Sequence, residues 1–427
     1  MAPLSPILRR ALQQLLPLAL LGGAVGLACW PLNLLDRAQD QLLQRLPAFG
    51  GRWTLVTVLM ALAPVLVMPL LLWLQAGPWR QGAGSGIPQT MAVVEDPARS
   101  ESLLAPRPTL QRLVLWSLAT LALFPLGREG PVVQVGGAVT QALRCRWPRL
   151  LQGLSTADAV AVAGAAGLAG GFDTPFMGVV FLAEELTGRF GAGLIWPGLL
   201  VCVCAAGISN LGGQGQFALG MLREMPPEPL QLFWAVPLGI VAGLLGGLFA
   251  RLIVMATACL TPLARLRPLR TGLMLGLALA ALLLLSGGSS GGDGETLMRQ
   301  LIQDPQQLHA PWIQLPVRLI GPALALGASV PGGLIDPALS LGAILGQVVS
   351  APLGLGALGM ALGMSAALAG ATQLPAMSLV FVMRLAGDQQ FLPGLLMAAV
   401  LGAYSGRLLL RRPVYHALAE LLAGRHS

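Results

Sequence analysis

The sequence predicts an all-α polytopic membrane protein built from two related halves with interrupted helices. Three observations predict it: composition, the spacing of the apolar stretches, and an internal repeat. Of 427 residues, 55% are hydrophobic and 10% are charged, with a mean hydropathy of +0.74. Soluble domains carry about 25% charged residues. Apolar stretches recur at Ala11–Leu32, Trp53–Leu74, Leu113–Leu126, Ala159–Ala183, Leu194–Leu211, Phe233–Ala250, Leu273–Leu285 and Phe391–Leu401. Some reach the roughly 20 residues of a spanning helix, and others are short or cut by Gly and Pro. Interrupted segments of this kind belong to transporters whose site lies between half-helices.

The repeat appears when the chain is laid on itself at an offset of 200. Ala166, Leu168, Ala169, Gly170, Pro175, Met177, Val180 and Phe181 then match Ala366, Leu368, Ala369, Gly370, Pro375, Met377, Val380 and Phe381. At the same offset Gly127 and Pro131 match Gly327 and Pro331. The expected organisation is a first membrane repeat over 1–211, a linker over 212–231, and a second repeat with a short tail over 232–427. An odd number of crossings per half would invert one half relative to the other.

At the amino end, Ala11–Leu32 lacks a small-residue cleavage site and reads as a retained first helix. The net charge of +8 comes from 26 basic residues, all arginines. They flank apolar segments, as in Arg9 and Arg10, Arg144–Arg149, Arg265–Arg270 and Arg407–Arg412. That pattern reads as anchoring to the cytoplasmic face and to anionic lipid rather than to nucleic acid. Both termini are therefore expected in the cytoplasm, with the chain in a bacterial inner (plasma) membrane. Cys29, Cys145, Cys202, Cys204 and Cys259 form no framework, and with three histidines no metal-ligand spacing exists. Neither a metal nor a cofactor is expected.

Gly82–Pro88 follows the second apolar stretch. Its glycines expose backbone N–H groups and Ser85 adds a hydroxyl, so it is either an anion-binding loop or a solvent loop. Next comes Glu129, in Leu123–Gly137, beside Arg128 and between glycines and prolines. A carboxylate at membrane depth costs several kcal/mol and is kept where it faces protein or water. Non-helical backbone there must likewise line a cavity. Glu129 is thus a candidate for moving ions or protons, with simple pairing to Arg128 as the alternative. Glu184 and Glu185 close a helix that begins near Pro175. At 100° per residue only one can face inward, and the other is expected to reach water or Arg189.

The second-half counterpart of the Glu129 loop is Gly327–Pro337. A helix is expected to begin at Pro337, a residue suited to the first helical position. The free amides around Leu334 and Ile335 would lie at its positive end. Asp336 reads as an N-cap, with a titratable role as the alternative. Tyr415, one of two tyrosines in the chain, offers another neutral donor, although interfacial anchoring also accounts for it.

Taken together, GSGIP at Gly84–Pro88, GREGP at Gly127–Pro131, GLAGGFDTPFMGVVFLAEEL at Gly167–Leu186, GGLIDP at Gly332–Pro337 and the late Tyr415 resemble the CLC family of chloride channels and chloride/proton antiporters. The motifs stand in the family's order and cover most of the chain. The resemblance implies the CLC-type fold of two inverted repeats, and a homodimer with one anion pathway per subunit. It implies that Ser85, Tyr415, Gly130 and the amides of Leu334 and Ile335 bind the anion. It also implies that Glu129 is the gating and outer proton glutamate and Glu185 the inner proton glutamate. Ile335 departs from the family's phenylalanine, Asp336 adds a carboxylate that could modify the gate, and Arg384 stands where an acid is common. Nucleotide-binding regulatory domains are not expected after Tyr415.

The implied function is secondary active exchange of chloride, or a similar small anion, for protons. The alternatives are a passive voltage- or pH-gated chloride channel and a fluoride/proton antiporter. No facing Ser/His pair, Asp/Asp protease motif or HExxH spacing supports an enzyme.

Overall fold

The computed structural model describes residues 6–47, 50–211, 228–303, 310–387 and 389–423. Among these, seven helices are long and apolar enough to cross a membrane. Most of the expected linker, with Arg223 and Glu224, lies outside the described residues, as do His309 and His426.

The apolar stretches fold with breaks where the local chemistry demands them. Trp53–Leu74 becomes Leu55–Ala61 and Ala63–Ala76, the first opened by a capping box between Thr54 and Thr57. Ala159–Ala183 divides into Thr156–Phe172 and Pro175–Phe181. Ser155 caps the first of these, which ends at Asp173 in left-handed backbone (φ 50°). Gly356–Thr372 ends the same way at Gln373 (φ 63°), ahead of Pro375–Ala386. The repeated prolines, Pro175 and Pro375, therefore sit at the start of matching helices, where a missing N–H costs nothing. Phe233–Ala250 runs on to Leu266, and the helix expected at Pro337 is Ile335–Leu353, which none of the expected apolar stretches covered.

The repeat has two registers. The helices Thr156–Phe172 and Ala192–Ser209 recur 200 residues later as Gly356–Thr372 and Leu392–Leu409. Upstream, Leu123 and Ser329 share left-handed backbone (φ 62° and 61°), and the helices after them begin at Glu129 and Ile335. Gly127 thus corresponds to Gly333 and Pro131 to Pro337, not to Gly327 and Pro331. The six-residue difference is absorbed after these helices, where residues 147–155 join one pair and only 354–355 the other.

The described residues form two compact units: Met1–Asn33, Gln89–Leu110 and Val132–Gly215 in one, and Leu34–Pro88, Gln111–Pro131 and Gln216–Ser427 in the other. In the first, Thr156–Phe172 is buried continuously from Ala159 to Phe172. Its small residues let backbones close in, so that a Cβ on Gly136 or Gly167 would strike Ala163 or Val132. In the second, Gly356–Thr372 plays the same part, with Gly363 against Gly342 and Gly370 against Gly243. Small-residue contact of this kind is how helices associate where lipid removes the hydrophobic drive between them.

Candidate functional site

The second unit holds a site assembled from three loops and two helix starts. Arg112, 1% exposed on the helix Pro106–Leu121, organises the first loop. Its Nε donates to the Gly84 carbonyl (3.0 Å) and its Nη2 to those of Gln81 and Ala83 (3.0 Å each). One turn along, Trp116 donates from Nε1 to the Gly127 carbonyl (3.2 Å). The third loop is held at Ser329, whose carbonyl accepts from the Gly84 amide (2.8 Å) and from Gln75 Nε2 (2.9 Å). Thr261 reaches it too, donating to the Gly327 carbonyl (3.0 Å) and lying 2.8 Å from Ser329 Oγ.

Gly127 and Gly333 pair as a short antiparallel bridge, each amide donating to the other's carbonyl (3.0 and 2.8 Å). A Cβ on either glycine would run into the Glu129 carboxylate. Glycine at both positions is thus what allows this acid to lie over the bridge. Glu129 opens its helix, Glu129–Arg146, and is fully buried. Its Oε1 accepts from the backbone amide of Asp336 at 2.8 Å, and its Oε2 has no hydrogen-bond partner. Its carboxyl group therefore occupies the amino end of Ile335–Leu353, a place where unpaired amides and the helix dipole favour negative charge.

Arg128, next to Glu129 in the chain, reaches two other acids. Its guanidinium pairs with Asp36 and lies 3.9 Å from Glu295. Ser85 approaches Gly130 so closely that a Cβ there would strike the serine's carbonyl and hydroxyl. Ser85 Oγ is buried with no hydrogen-bond partner. Leu334 is the cap residue of Ile335–Leu353 and Ile335 its first residue, both buried. That corrects the expected start at Pro337 by two residues. Asp336 is consequently not the N-cap but lies in the first turn, buried, with Oδ2 unpartnered. Tyr415 is fully buried in the first turn of Val414–Ala423.

Glu184 and Glu185 lie in the first unit, within a π turn, Leu182–Leu186, that follows Pro175–Phe181. The wider turn replaces the expected α-helical end, and such turns often mark functional sites. Glu185 is buried and Glu184 half-buried. Arg189 pairs with Asp158 instead.

The structure thus brings Ser85 against Gly130, and Glu129 against Asp336. The sequence reading missed Arg112 and Trp116, as well as the acids Asp36, Asp293 and Glu295, whose carboxylates gather within 4.8 Å. The available signal was Asp293 within the glycine-rich run Gly287–Gly294 after a long apolar helix. Chemically, the site offers neutral donors and helix-end amides to an anion, and a carboxylate that competes for one of those amides.

Residues 65–407 match the family model described as voltage gated chloride channel. The voltage-gated ClC-type chloride channel ClcB of Escherichia coli O17:K52:H18 (strain UMN026 / ExPEC) is 27% identical over 304 residues, 68% of this chain and 70% of that protein. ClcB of Escherichia coli O81 (strain ED1a) is 28% identical over the same shares. Among solved structures, a slow cyanobacterial Cl⁻/H⁺ antiporter superposes with a TM-score of 0.78 at 22% identity, covering 96% of this chain and 98% of its own. A CLC-type fluoride/proton antiporter gives 0.77 at 20%, covering 94% and 96%.

Proposed function

We infer that this chain, which belongs to the voltage gated chloride channel family, is a secondary active antiporter exchanging chloride or a similar small anion for protons. The observation that carries the reading is the bond from the Asp336 amide to Glu129 Oε1 (2.8 Å). A dissolved anion needs the same amide, so the ionised side chain and the anion exclude one another. Protonation removes the carboxylate's charge, weakens its hold on the amide, and leaves the position to the anion. Each departure of Glu129 is then tied to one proton.

Ser85, Gly130, Leu334, Ile335 and Tyr415 provide the anion's donors in this reading. None carries a charge, so binding stays reversible. Glu185, buried in its π turn, exchanges protons with the other side of the membrane. The chain works as a homodimer with a pathway in each subunit, in a bacterial inner membrane with both termini cytoplasmic. The membrane repeats are 1–211 and 232–427.

A second reading, passive chloride conduction, is favoured by the names of the Escherichia coli relatives. Against it stands the buried acid at Glu185, which a channel does not need. The two readings separate in proteoliposomes given a chloride gradient and no proton gradient. An antiporter drives protons uphill, whereas a channel leaves the pH of the lumen unchanged once the voltage is clamped.

A further inference from the structure

Glu129 and Asp336 are not isolated acids. Asp36, Asp40, Asp293 and Glu295 are buried in the same unit, at 6, 2, 1 and 4% exposure. The carboxylates of Asp36, Asp293 and Glu295 gather within 4.8 Å, and Asp293 Oδ1 accepts from the Glu295 amide (2.9 Å); Asp293 also acts electrostatically on Asp40, Glu129, Asp336 and Arg318. Among the described contacts, the cations facing these six carboxyls are Arg128, on Asp36 and Glu295, Arg299, on Glu295, and Arg318. Arg318 is committed to the loop before Asp293, donating to the carbonyls of Gly291 (2.9 Å) and Gly292 (2.8 Å).

Six acids therefore meet three guanidinium groups. The helix starts at Glu129 and Ile335 add roughly half a positive charge each. About two negative charges remain uncompensated if every acid is ionised, in a place where a lone buried charge costs several kcal/mol. A metal ion does not settle the excess, because the guanidinium of Arg128 already lies between Asp36 and Glu295. Protons held by the group would relieve that excess.

It also has an entrance. A cavity of about 390 Å³ is lined by Leu46, Gly288, Thr296, Gln314 and Arg318, among others. Thr296 Oγ1 donates to Asp40 Oδ1 at 2.7 Å, while Asp40 Oδ2 is buried with no hydrogen-bond partner. The cavity lies at the carboxyl end of Pro6–Leu43, with Leu43 in its lining. Neither Asp40 nor Asp293 is among the donors assigned to the anion in the reading above.

We propose that Asp40 and Asp293 form a proton relay between this cavity and Glu129. A proton from cavity water adds to the Asp40 carboxylate, passes to Asp293, and leaves it for the Glu129 carboxylate. Asp40 and Asp293 return to their starting states, and one proton has moved from the cavity to the gate. Glu295 and the arginines hold the field of the relay steady without giving up protons. The inference rests on the antiporter reading, since a relay serves nothing in a protein that moves no protons.

The test is the exchange rate of the full-length protein in oriented vesicles, with the pH set independently on the two sides. Asp40→Asn is expected to slow exchange on the order of tenfold or more near neutral pH on the cavity side, the scale of a lost proton-transfer group. The proton-to-anion ratio should be retained, and acid on the cavity side alone should restore the rate. Asp40→Glu should keep the wild-type profile. An unchanged rate, or the same reduction at every pH, overturns the relay. If Asp40→Asn does not fold, Thr296→Val decides: the relay requires its pH profile to shift in the same sense, and an unshifted profile overturns it. Failure of the wild type to move protons overturns the antiporter reading itself. Intact wild-type coupling with an unaltered Asp40→Asn profile overturns only the relay.

Discussion

The side chain of Glu129 accepts a hydrogen bond from the backbone of Asp336, 207 residues further along the chain. The bond joins the starts of two repeat-related helices, because Glu129 and Ile335 are equivalent positions. One copy of the repeat contributes the acid, and the other contributes the amides that the acid occupies. Gly127 and Gly333 hold the two loops together beneath it.

Glycine at 333 is required by that geometry. In Gly333→Ala the new methyl group would overlap the carboxylate of Glu129, so the acid must leave the Asp336 amide. Anion flux is expected to persist while losing much of its increase at low pH. Flux measured across a series of external pH values checks this. A pH dependence equal to that of the wild type would show that Glu129 does not need its place over the bridge.

Ser85 and Tyr415 should set affinity without setting coupling. A hydrogen bond from a neutral donor to an anion contributes about 1.5–3 kcal/mol, so Ser85→Ala and Tyr415→Phe should each weaken chloride binding by about ten- to a hundredfold. Calorimetric titration of the purified protein reads this directly. Unchanged affinity in both variants would remove the two hydroxyls from the anion site.

Arg112 should matter through the loop it holds. Arg112→Met leaves the carbonyls of Gln81, Ala83 and Gly84 without their donor, at about 1–3 kcal/mol for each one that stays buried. A lower thermal midpoint in detergent is expected, together with weaker anion binding through a loosened Ser85. Arg112→Lys should recover only part of either, since an ammonium cannot reproduce the guanidinium fork. Full recovery by lysine would mean that charge alone is what the loop needs.

Much of this fold was legible in the sequence, for identifiable reasons. The paired prolines Pro175 and Pro375 marked real helix starts, and the glycine-rich loops marked real breaks. The buried helices Gly356–Thr372 and Ile335–Leu353 were harder to see, since runs of Ala and Gly have little hydropathy contrast and face protein on all sides. The register of the Glu129 loop against its partner was misread because an extra six residues fall between the loop and the stretch that anchored the alignment. Asp336 looked like a cap because proline after an acid is a common helix opening. The helix begins two residues earlier, with apolar Leu334 as its cap residue. Arg112 carried no local motif, and only the folded chain brings it to the site.

Glu185 is the acid on which the distinction from a channel depends. Glu185→Gln should stop proton movement while leaving anion flux, because amide and carboxyl are similar in shape but only the latter carries a proton. Proton uptake in vesicles containing this variant is the check. Uptake at the wild-type rate would move the inner proton step to another residue.

The most direct test of the central claim, that the proton on Glu129 decides whether the anion passes, is simultaneous chloride and pH recording in vesicles with wild-type protein and with Glu129→Gln. The account predicts that wild-type protein moves chloride and protons in opposite directions against an imposed gradient of either, and that Glu129→Gln conducts chloride with no proton movement. Chloride and protons still coupled in Glu129→Gln, or a wild type that dissipates chloride gradients without moving protons, would contradict it.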